Sequence, residues 1–135
     1  MQESKGPSIE IDGAGIGDIG IESTTLNVTL LINNPIALGS TLKSIKFRVL
    51  LLKNSNETFL GDGEKDNIRI GGGGVTRTEI PVKLRNAAII SVAGGLIGDD
   101  LDIVIRGTAA IDLKIAAPKI PFEKKVKISG FLKGI

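Results

Sequence analysis

The feature that most constrains the fold is a long alternation of apolar and polar side chains in residues 25–35. Its apolar residues occupy every second position, which puts them on one face of a β-strand: Leu26, Val28, Leu30 and Ile32. The run ends at Asn34-Pro35, where proline cannot donate to a ladder and favours an extended or turn geometry in the residue before it. A half-buried strand of this length is typical of a central element of an antiparallel sheet.

The same two-residue period recurs along most of the chain. Long alternating runs predict strands at residues 42–53, 75–84, 101–115 and 120–132. Shorter runs predict one or two strands over residues 8–11 and 17–22, and strands at 58–61 and 65–70. Gly and Asn turn signals separate the runs, among them the turn cluster Asn54-Ser55-Asn56. In the first two of these short runs we expect the isoleucines to face inward: Ile9, Ile11, Ile19 and Ile21.

One stretch changes to a helical period. Its apolar residues follow the spacing of a single helix face: Ile89, Val92, Ala93, Leu96 and Ile97. Asn86 is expected to cap this helix and Gly98 to end it. Seven or eight short strands with one short helix near residues 86–97 predict an antiparallel β-sandwich of the immunoglobulin or fibronectin type III kind. We expect one domain over residues 8–133, preceded by a flexible tail at residues 1–7.

The composition removes several functional classes. The 135 residues include no His and no Cys, which excludes the commonest general base, thiol catalysis and Cys-ligated metals. A net charge of +2, with four Phe and no Trp or Tyr, offers little to attract or stack nucleic acid. We therefore expect no enzyme activity, no cofactor and no nucleic-acid partner.

Two glycine-rich segments resemble phosphate-binding motifs without their structural context. Residues 15–20 fit the pattern G-x-G-x-x-G, but a strand pattern follows them where a dinucleotide site needs a helix. The four glycines at residues 71–74 are also followed by a strand pattern. We expect a bend at the first segment and a plain loop at the second.

Two charged clusters are the candidate sites. Asp99, Asp100 and Asp102 follow the predicted helix and offer the oxygen ligands that calcium or magnesium prefers, although their spacing is more typical of a solvated turn. A basic run near the C-terminus is a candidate for contact with an anionic surface, with a solvated edge strand as the alternative. This basic run consists of Lys119, Lys124, Lys125 and Lys127.

The order of elements resembles a known family. This is the folded, type 2 group of late embryogenesis abundant proteins, which carry the water-stress and hypersensitive-response (WHy) domain, and the chain looks like an archaeal-like member. The resemblance covers residues 9–128 and rests on these segments: residues 26–33 closed by Asn34-Pro35, residues 42–51 with Phe47-x-Val49, and residues 60–63, 80–84, 87–97 and 101–113, closing on Pro121-Phe122. It implies two packed antiparallel sheets with one helix, and a non-catalytic role in desiccation or other stress without active-site residues.

Three kinds of function remain open. The resemblance implies a non-enzymatic stress-protection protein that shields or binds destabilised proteins or membrane surfaces. A surface-anchored adhesion or scaffold module is the second, because β-sandwiches often serve in this way. The basic run and the apolar helix suggest a lipid-binding module as the third.

The N-terminus and the composition also predict a cellular location and a kind of organism. Residues 1–7 are polar with no apolar stretch behind them, which predicts a cytoplasmic location, or an extracytoplasmic one if a leader or lipid anchor has been removed. Abundant Ile, a single Gln and the lack of Cys are typical of a thermophile.

Overall fold

The chain forms two antiparallel sheets that pack face to face, with one short helix. The computed structural model describes residues 8–35, 39–93, 101–112 and 119–128. These ranges contain seven strands and one helix: β1 (Ser8–Ile19), β2 (Ser23–Asn34), β3 (Ser40–Lys53), β4 (Asn56–Ile70), β5 (Gly74–Arg85), α1 (Asn86–Ala93), β6 (Leu101–Asp112) and β7 (Lys119–Ile128). One sheet has the order β1-β2-β5 and the other β4-β3-β6-β7. The predicted antiparallel β-sandwich with one short helix is confirmed.

β2 has the central place that its alternation predicted. It pairs with β1 on one side and with β5 on the other, and the pairing with β5 is unbroken from Ser23 to Asn34. The four predicted core residues are fully buried: Leu26, Val28, Leu30 and Ile32. Each such aliphatic side chain contributes about 1.5–3 kcal/mol on burial, so β2 is the main apolar support of its sheet.

The Asn-Pro pair that ends β2 also fixes a loop. Asn34 is fully buried, and its side-chain nitrogen donates a hydrogen bond to the Gly71 carbonyl oxygen at 3.1 Å. The Gly71 N–H in turn donates to the Thr76 hydroxyl at 3.2 Å. The end of β2 is thereby tied to the connection between β4 and β5.

β4 corrects the sequence prediction of two separate strands at 58–61 and 65–70. It is one strand of 15 residues, and Gly61 and Gly63 lie inside it rather than at turns. A Cβ on Gly61 would lie 2.5 Å from the carbonyl oxygen of Lys83 in β5, which leaves no room for any side chain. The glycine that resembled a turn signal therefore permits a close approach between the two sheets.

The turn between β3 and β4 was predicted correctly. Asn54 and Ser55 have φ angles of 53° and 68°, as a two-residue hairpin turn of type I′ requires. Lys53 and Asn56 pair directly across it. This turn sets the register that aligns β3 with β4.

The prediction that four isoleucines near the N-terminus face inward is half wrong. Ile11 is buried and Ile9 is half-buried, as expected, but Ile19 is 40% exposed and Ile21 is 94% exposed. β1 is a single strand whose register with β2 shifts between Ile16 and Ile19. The Gly20 N–H then donates to the Ser23 carbonyl oxygen, which turns the chain and leaves Ile21 at the hairpin tip, outside both sheets.

The predicted N-cap role of Asn86 is also wrong. A capping oxygen accepts from the first N–H groups of its own helix. Here the Asn86 side-chain oxygen accepts from the buried Thr24 hydroxyl at 2.8 Å, and its nitrogen donates to the carbonyl oxygens of Gly20 and Ile21. Asn86 therefore fastens the start of α1 to the hairpin between β1 and β2.

The other end of the predicted helix is not visible. Ile89 is buried, as predicted for the inner face of α1. Residues 94–100, with the expected stop at Gly98, lie outside the described residues. Within those described, no helix has the length and apolarity that a membrane span needs.

β6 and β7 follow their predicted alternation as far as the structure describes them. The inward positions of β6 are buried: Leu101, Ile103, Ile105 and Ala109. The predicted extensions of β6 to residue 115 and of β7 to residue 132 fall outside the described residues, as does the N-terminal tail. The facing residues of both sheets form one apolar core.

Candidate functional site

An open groove of about 700 Å³ crosses the outer face of the four-stranded sheet. Its floor is a row of four residues that lie side by side across the sheet: Gly63, Phe47, Gly107 and Phe122. The two phenylalanine rings point into the core, where they pack edge to face with centroids 6.3 Å apart. The groove floor is therefore backbone, with no side chain standing on it.

Exposed side chains on the two neighbouring rows form the walls. Across β4, β3, β6 and β7, one row reads Asp62, Arg48, Arg106 and Glu123. The other row reads Glu64, Lys46, Thr108 and Pro121. All three cations lie on the two central strands and all three carboxylates on the outer strands, so the middle of the groove is positive and its ends are negative.

Arg106 is the most extensively bonded of the three cations. Its guanidinium makes a two-pronged contact with Glu57, with Nη1 donating to Oε1 at 3.0 Å and Nη2 donating to Oε2 at 2.8 Å. Its Nε donates to Glu123 at 2.8 Å. The hydrogen bond from Arg106 holds the pKa of the Glu57 carboxyl below its ordinary value, and these two carboxylates raise the pKa of Arg106. The two carboxylates together occupy the N–H groups of this arginine.

Two apolar residues of the outer face are buried in the rows between Arg106 and Glu57. Glu57 lies on β4 and Arg106 on β6, so the guanidinium must pass over β3 between them. Leu50 of β3 and its cross-strand neighbour Val104 of β6 are 6% and 1% exposed, although their side chains point away from the core. The aliphatic stem of an arginine can cover apolar surface in this way.

Arg48 is held differently. Its guanidinium carbon lies 4.8 Å from the centroid of the Phe59 ring, a cation–π contact on the outer face. Within the part of the chain that the structure describes, no ion pair includes Arg48, although Arg106 and Asp62 are its cross-strand neighbours. Lys46 makes a loose, exposed ion pair with Glu64 at 3.8 Å. Among the described residues, no carboxylate pairs with the positive charge of Arg48.

The structure divides the basic run that the sequence singled out. Lys119, Lys125 and Lys127 are exposed on β7, and Lys127 is 3.4 Å from the Asp102 carboxylate. Lys124 lies on the opposite side of the strand, where its Nζ donates to the Ile11 carbonyl oxygen at 3.1 Å and joins β7 to β1. Only three of the four lysines therefore share one surface.

The candidate aspartate cluster is only partly visible. Asp102 is exposed and paired with Lys127, while Asp99 and Asp100 lie outside the described residues. Within residues 8–35, 39–93, 101–112 and 119–128, no group of three or more acidic side chains is arranged to hold a metal ion. A cation site at this turn remains a prediction.

A second hollow, of about 580 Å³, lies beside the start of α1. Most of its lining is polar or charged: Glu22, Ser23, Lys83, Arg85 and Asn86, together with Ile21 and Ala87. It lies next to the exposed hairpin tip rather than between the two sheets.

The sequence did not predict the groove residues as a site. The groove residues lie far apart in the sequence. Only the register of three strands brings Arg48, Phe59 and Arg106 together. The available signal was weak: Phe59 stands out of phase with the core positions around it and was an aromatic residue without a predicted partner.

The fold, taken with these surfaces, defines a small β-sandwich module of the kind found in late embryogenesis abundant proteins. The family model described as Late embryogenesis abundant protein, LEA_2, matches residues 29–126. The chain belongs to this family, as the order of its strands and helix indicated.

Three known proteins are similar to this chain. MJ1138 of Methanocaldococcus jannaschii is 30% identical over 122 residues, which cover 90% of this chain and 70% of that protein. A solution structure from Arabidopsis thaliana superposes with a TM-score of 0.69 at 18% identity, covering 90% of this chain and 80% of that one. A crystal structure from Archaeoglobus fulgidus gives 0.63 at 13% identity, with 90% and 94% covered. The two structures show that the fold is shared.

Proposed function

We propose that this chain is a non-enzymatic stress-protection protein, which shields or binds other proteins or membrane surfaces when water is scarce. The observation that carries the proposal is membership of the late embryogenesis abundant family, whose model matches residues 29–126. The family and its fold are generally non-enzymatic. The whole sequence also lacks His and Cys, the side chains most often used as bases and thiol nucleophiles.

The packing of the molecule supports this role. The apolar core is filled by side chains from both sheets, and no buried side-chain nitrogen or oxygen of the described residues lacks a hydrogen bond. The exposed charges of both signs lie interspersed on the strands, which keeps a folded protein soluble while others expose apolar surface.

A protection assay tests the proposal. A labile dehydrogenase is dried and rehydrated with this protein at equal mass, and the recovered activity is compared with that obtained with an inert globular protein of similar size. We expect a severalfold higher recovery with this protein, increasing with its mass ratio. Recovery equal to that with the inert protein at every ratio would contradict the proposal.

Membrane contact is a second candidate, favoured by the three exposed lysines on β7. Lys119, Lys125 and Lys127 lie on the same side of this edge strand. An exposed cluster of this kind is attracted to anionic lipid by about 1 kcal/mol per lysine near the surface, and salt screens the attraction.

Vesicle flotation separates this candidate from shielding of proteins alone. We expect the protein to float with anionic vesicles at low salt, and the Lys119→Gln/Lys125→Gln variant to float less. Lys83→Gln, an exposed lysine of β5 on the other sheet, is the matched control and should float like the unchanged protein. Flotation that is equal with zwitterionic vesicles, or insensitive to salt, would remove the membrane candidate.

A further inference from the structure

We infer that the groove across the four-stranded sheet binds a small amphipathic monoanion, with a carboxylate held by Arg48 and an apolar body lying along the floor. This inference concerns a site of its own and does not depend on the protective role. It rests on the shape of the groove, on the state of its three cations, and on where the carboxylates stand.

The state of the cations identifies the binding group. Arg106 has its guanidinium occupied by Glu57 and Glu123, so it has little left to offer a ligand. Arg48 lies on the Phe59 ring and, among the described residues, has neither an ion pair nor a hydrogen bond from its guanidinium. A guanidinium that lies over an aromatic ring uses its face for that contact and keeps N–H groups for the two oxygens of a carboxylate.

The floor of the groove selects the rest of the ligand. The four floor residues leave bare backbone at the bottom because that side of the strands carries none of their side chains, and Thr108 and Pro121 are the shortest wall residues. Four strands at about 4.8 Å spacing span about 14 Å, so a linear chain of several carbons fits across them. The volume of about 700 Å³ lies within the range of small-molecule sites.

The carboxylates at the two ends limit the charge of the ligand. Asp62 and Glu64 stand on β4 and Glu123 on β7, on either side of the central cations. A second negative charge on the ligand would lie near one of these groups and be repelled. The same arrangement disfavours polyanions such as nucleic acid, so a single anionic head near Arg48 is the chemistry that fits.

Octanoate, below its micelle-forming concentration, is the probe. Titration into the ¹⁵N-labelled protein, followed by amide shifts and the Arg48 Nε–H signal, is expected to move Gly63, Gly107 and Arg48. Acetate and 1-octanol each carry one half of the proposed ligand and are expected to bind at least tenfold more weakly. Octanedioate is expected to bind severalfold more weakly than octanoate because of its second charge.

Single substitutions test which residues of the groove contact octanoate. Arg48→Gln is expected to weaken octanoate binding at least tenfold, since a charge-assisted contact is lost. Asp62→Asn, which removes the carboxylate opposite Arg48, is expected to strengthen binding severalfold. Arg77→Gln is the matched control, because Arg77 is an exposed arginine of β5 on the other sheet, and it should bind like the unchanged protein. The amide spectrum of each variant shows that it remains folded.

Several results would overturn the inference. Unchanged octanoate affinity in Arg48→Gln would do so, as would shifts centred on the basic run of β7 or on the hollow beside α1. Equal affinities for octanoate and acetate would show that the groove floor contributes nothing. Binding to anionic vesicles without any binding of monomeric octanoate would replace the small ligand with a membrane surface.

Discussion

Two glycines of the groove floor give the sharpest test of the packing, because they meet different parts of the same phenylalanine. A Cβ on Gly63 would lie 2.3 Å from Cζ of Phe47, and its three closest contacts are all atoms of that ring. A Cβ on Gly107 would lie 2.2 Å from the Lys46 carbonyl oxygen and 2.4 Å from Phe47 Cβ. The first clash is with the end of a side chain, and the second is with backbone and Cβ atoms that any residue keeps.

The two substitutions therefore differ in whether they can be rescued. Overpacking a core costs about 1–3 kcal/mol, so Gly63→Ala and Gly107→Ala should each lower the free energy of unfolding by about 2–3 kcal/mol. Phe47→Leu shortens the ring and is expected to cost about 1–2 kcal/mol alone. Combined with Gly63→Ala, it should cost little more than it does alone, a coupling of about 2 kcal/mol. Combined with Gly107→Ala, the two losses should add.

Urea unfolding followed by far-ultraviolet circular dichroism measures these values, since the chain has no Trp or Tyr for intrinsic fluorescence. For a domain of 135 residues, 1 kcal/mol corresponds to about 3–4 °C in the melting temperature, so each alanine variant should melt about 7–10 °C lower. Gly15→Ala is the control, because a Cβ there has nothing within 4 Å, and it should be neutral or slightly stabilising.

Two outcomes would refute this reasoning. If Gly107→Ala unfolds at the same urea concentration as the unchanged protein, the close approach of β6 to β3 is not as the structure has it. If Phe47→Leu rescues Gly107→Ala as fully as Gly63→Ala, the contact with the Lys46 carbonyl oxygen does not limit the space.

Two further predictions concern polar contacts. Asn86→Ala is expected to lower the free energy of unfolding in urea by at least about 2 kcal/mol, because it removes three hydrogen bonds and leaves the buried Thr24 hydroxyl without its acceptor. A decrease below about 0.5 kcal/mol would contradict the role of Asn86 in fastening α1 to the hairpin. The pKa of Glu57 is lowered by its hydrogen bond to Arg106, so its contribution to stability is present above about pH 4.5 and is lost as the pH falls through its folded-state pKa. Glu57→Gln should therefore unfold at lower urea than the unchanged protein at pH 7, and the difference should vanish once the carboxyl is protonated; a difference that persists at low pH would contradict the ion pair.

The sequence predicted the parts of the fold that local periodicity determines. β2 and β5 alternate cleanly because one face of each is buried, and the four apolar inward residues of β2 were identified from that alternation. The turn at Asn54 and Ser55 was found because its residue types favour positive φ angles. These features require no knowledge of which strands are neighbours.

The errors arose where the role of a residue depends on contacts with residues far away in the sequence. Gly61 was interpreted as a turn signal because nothing nearby in sequence indicates that the backbone of β5 passes beside it. Asn86 has the residue type of a helix cap, but Thr24 and the hairpin carbonyls, more than 60 positions earlier, bind its side chain instead. The groove was not predicted for the same reason, because only the register of four strands brings its residues together.

The groove and the core beneath it share one layer of backbone, which links ligand binding to stability. The floor is bare on the outer side because the side chains of its row point inward, and the lack of a Cβ at Gly63 and Gly107 leaves the space in the core that Phe47 occupies beside Phe122. A substitution at either glycine changes the position of the floor as well as the core, so it would alter both stability and octanoate binding. A substitution at Arg48 distinguishes octanoate binding from stability, because this residue is exposed on the outer face and does not contact the core. Arg48→Gln should therefore abolish most octanoate binding with little loss of stability.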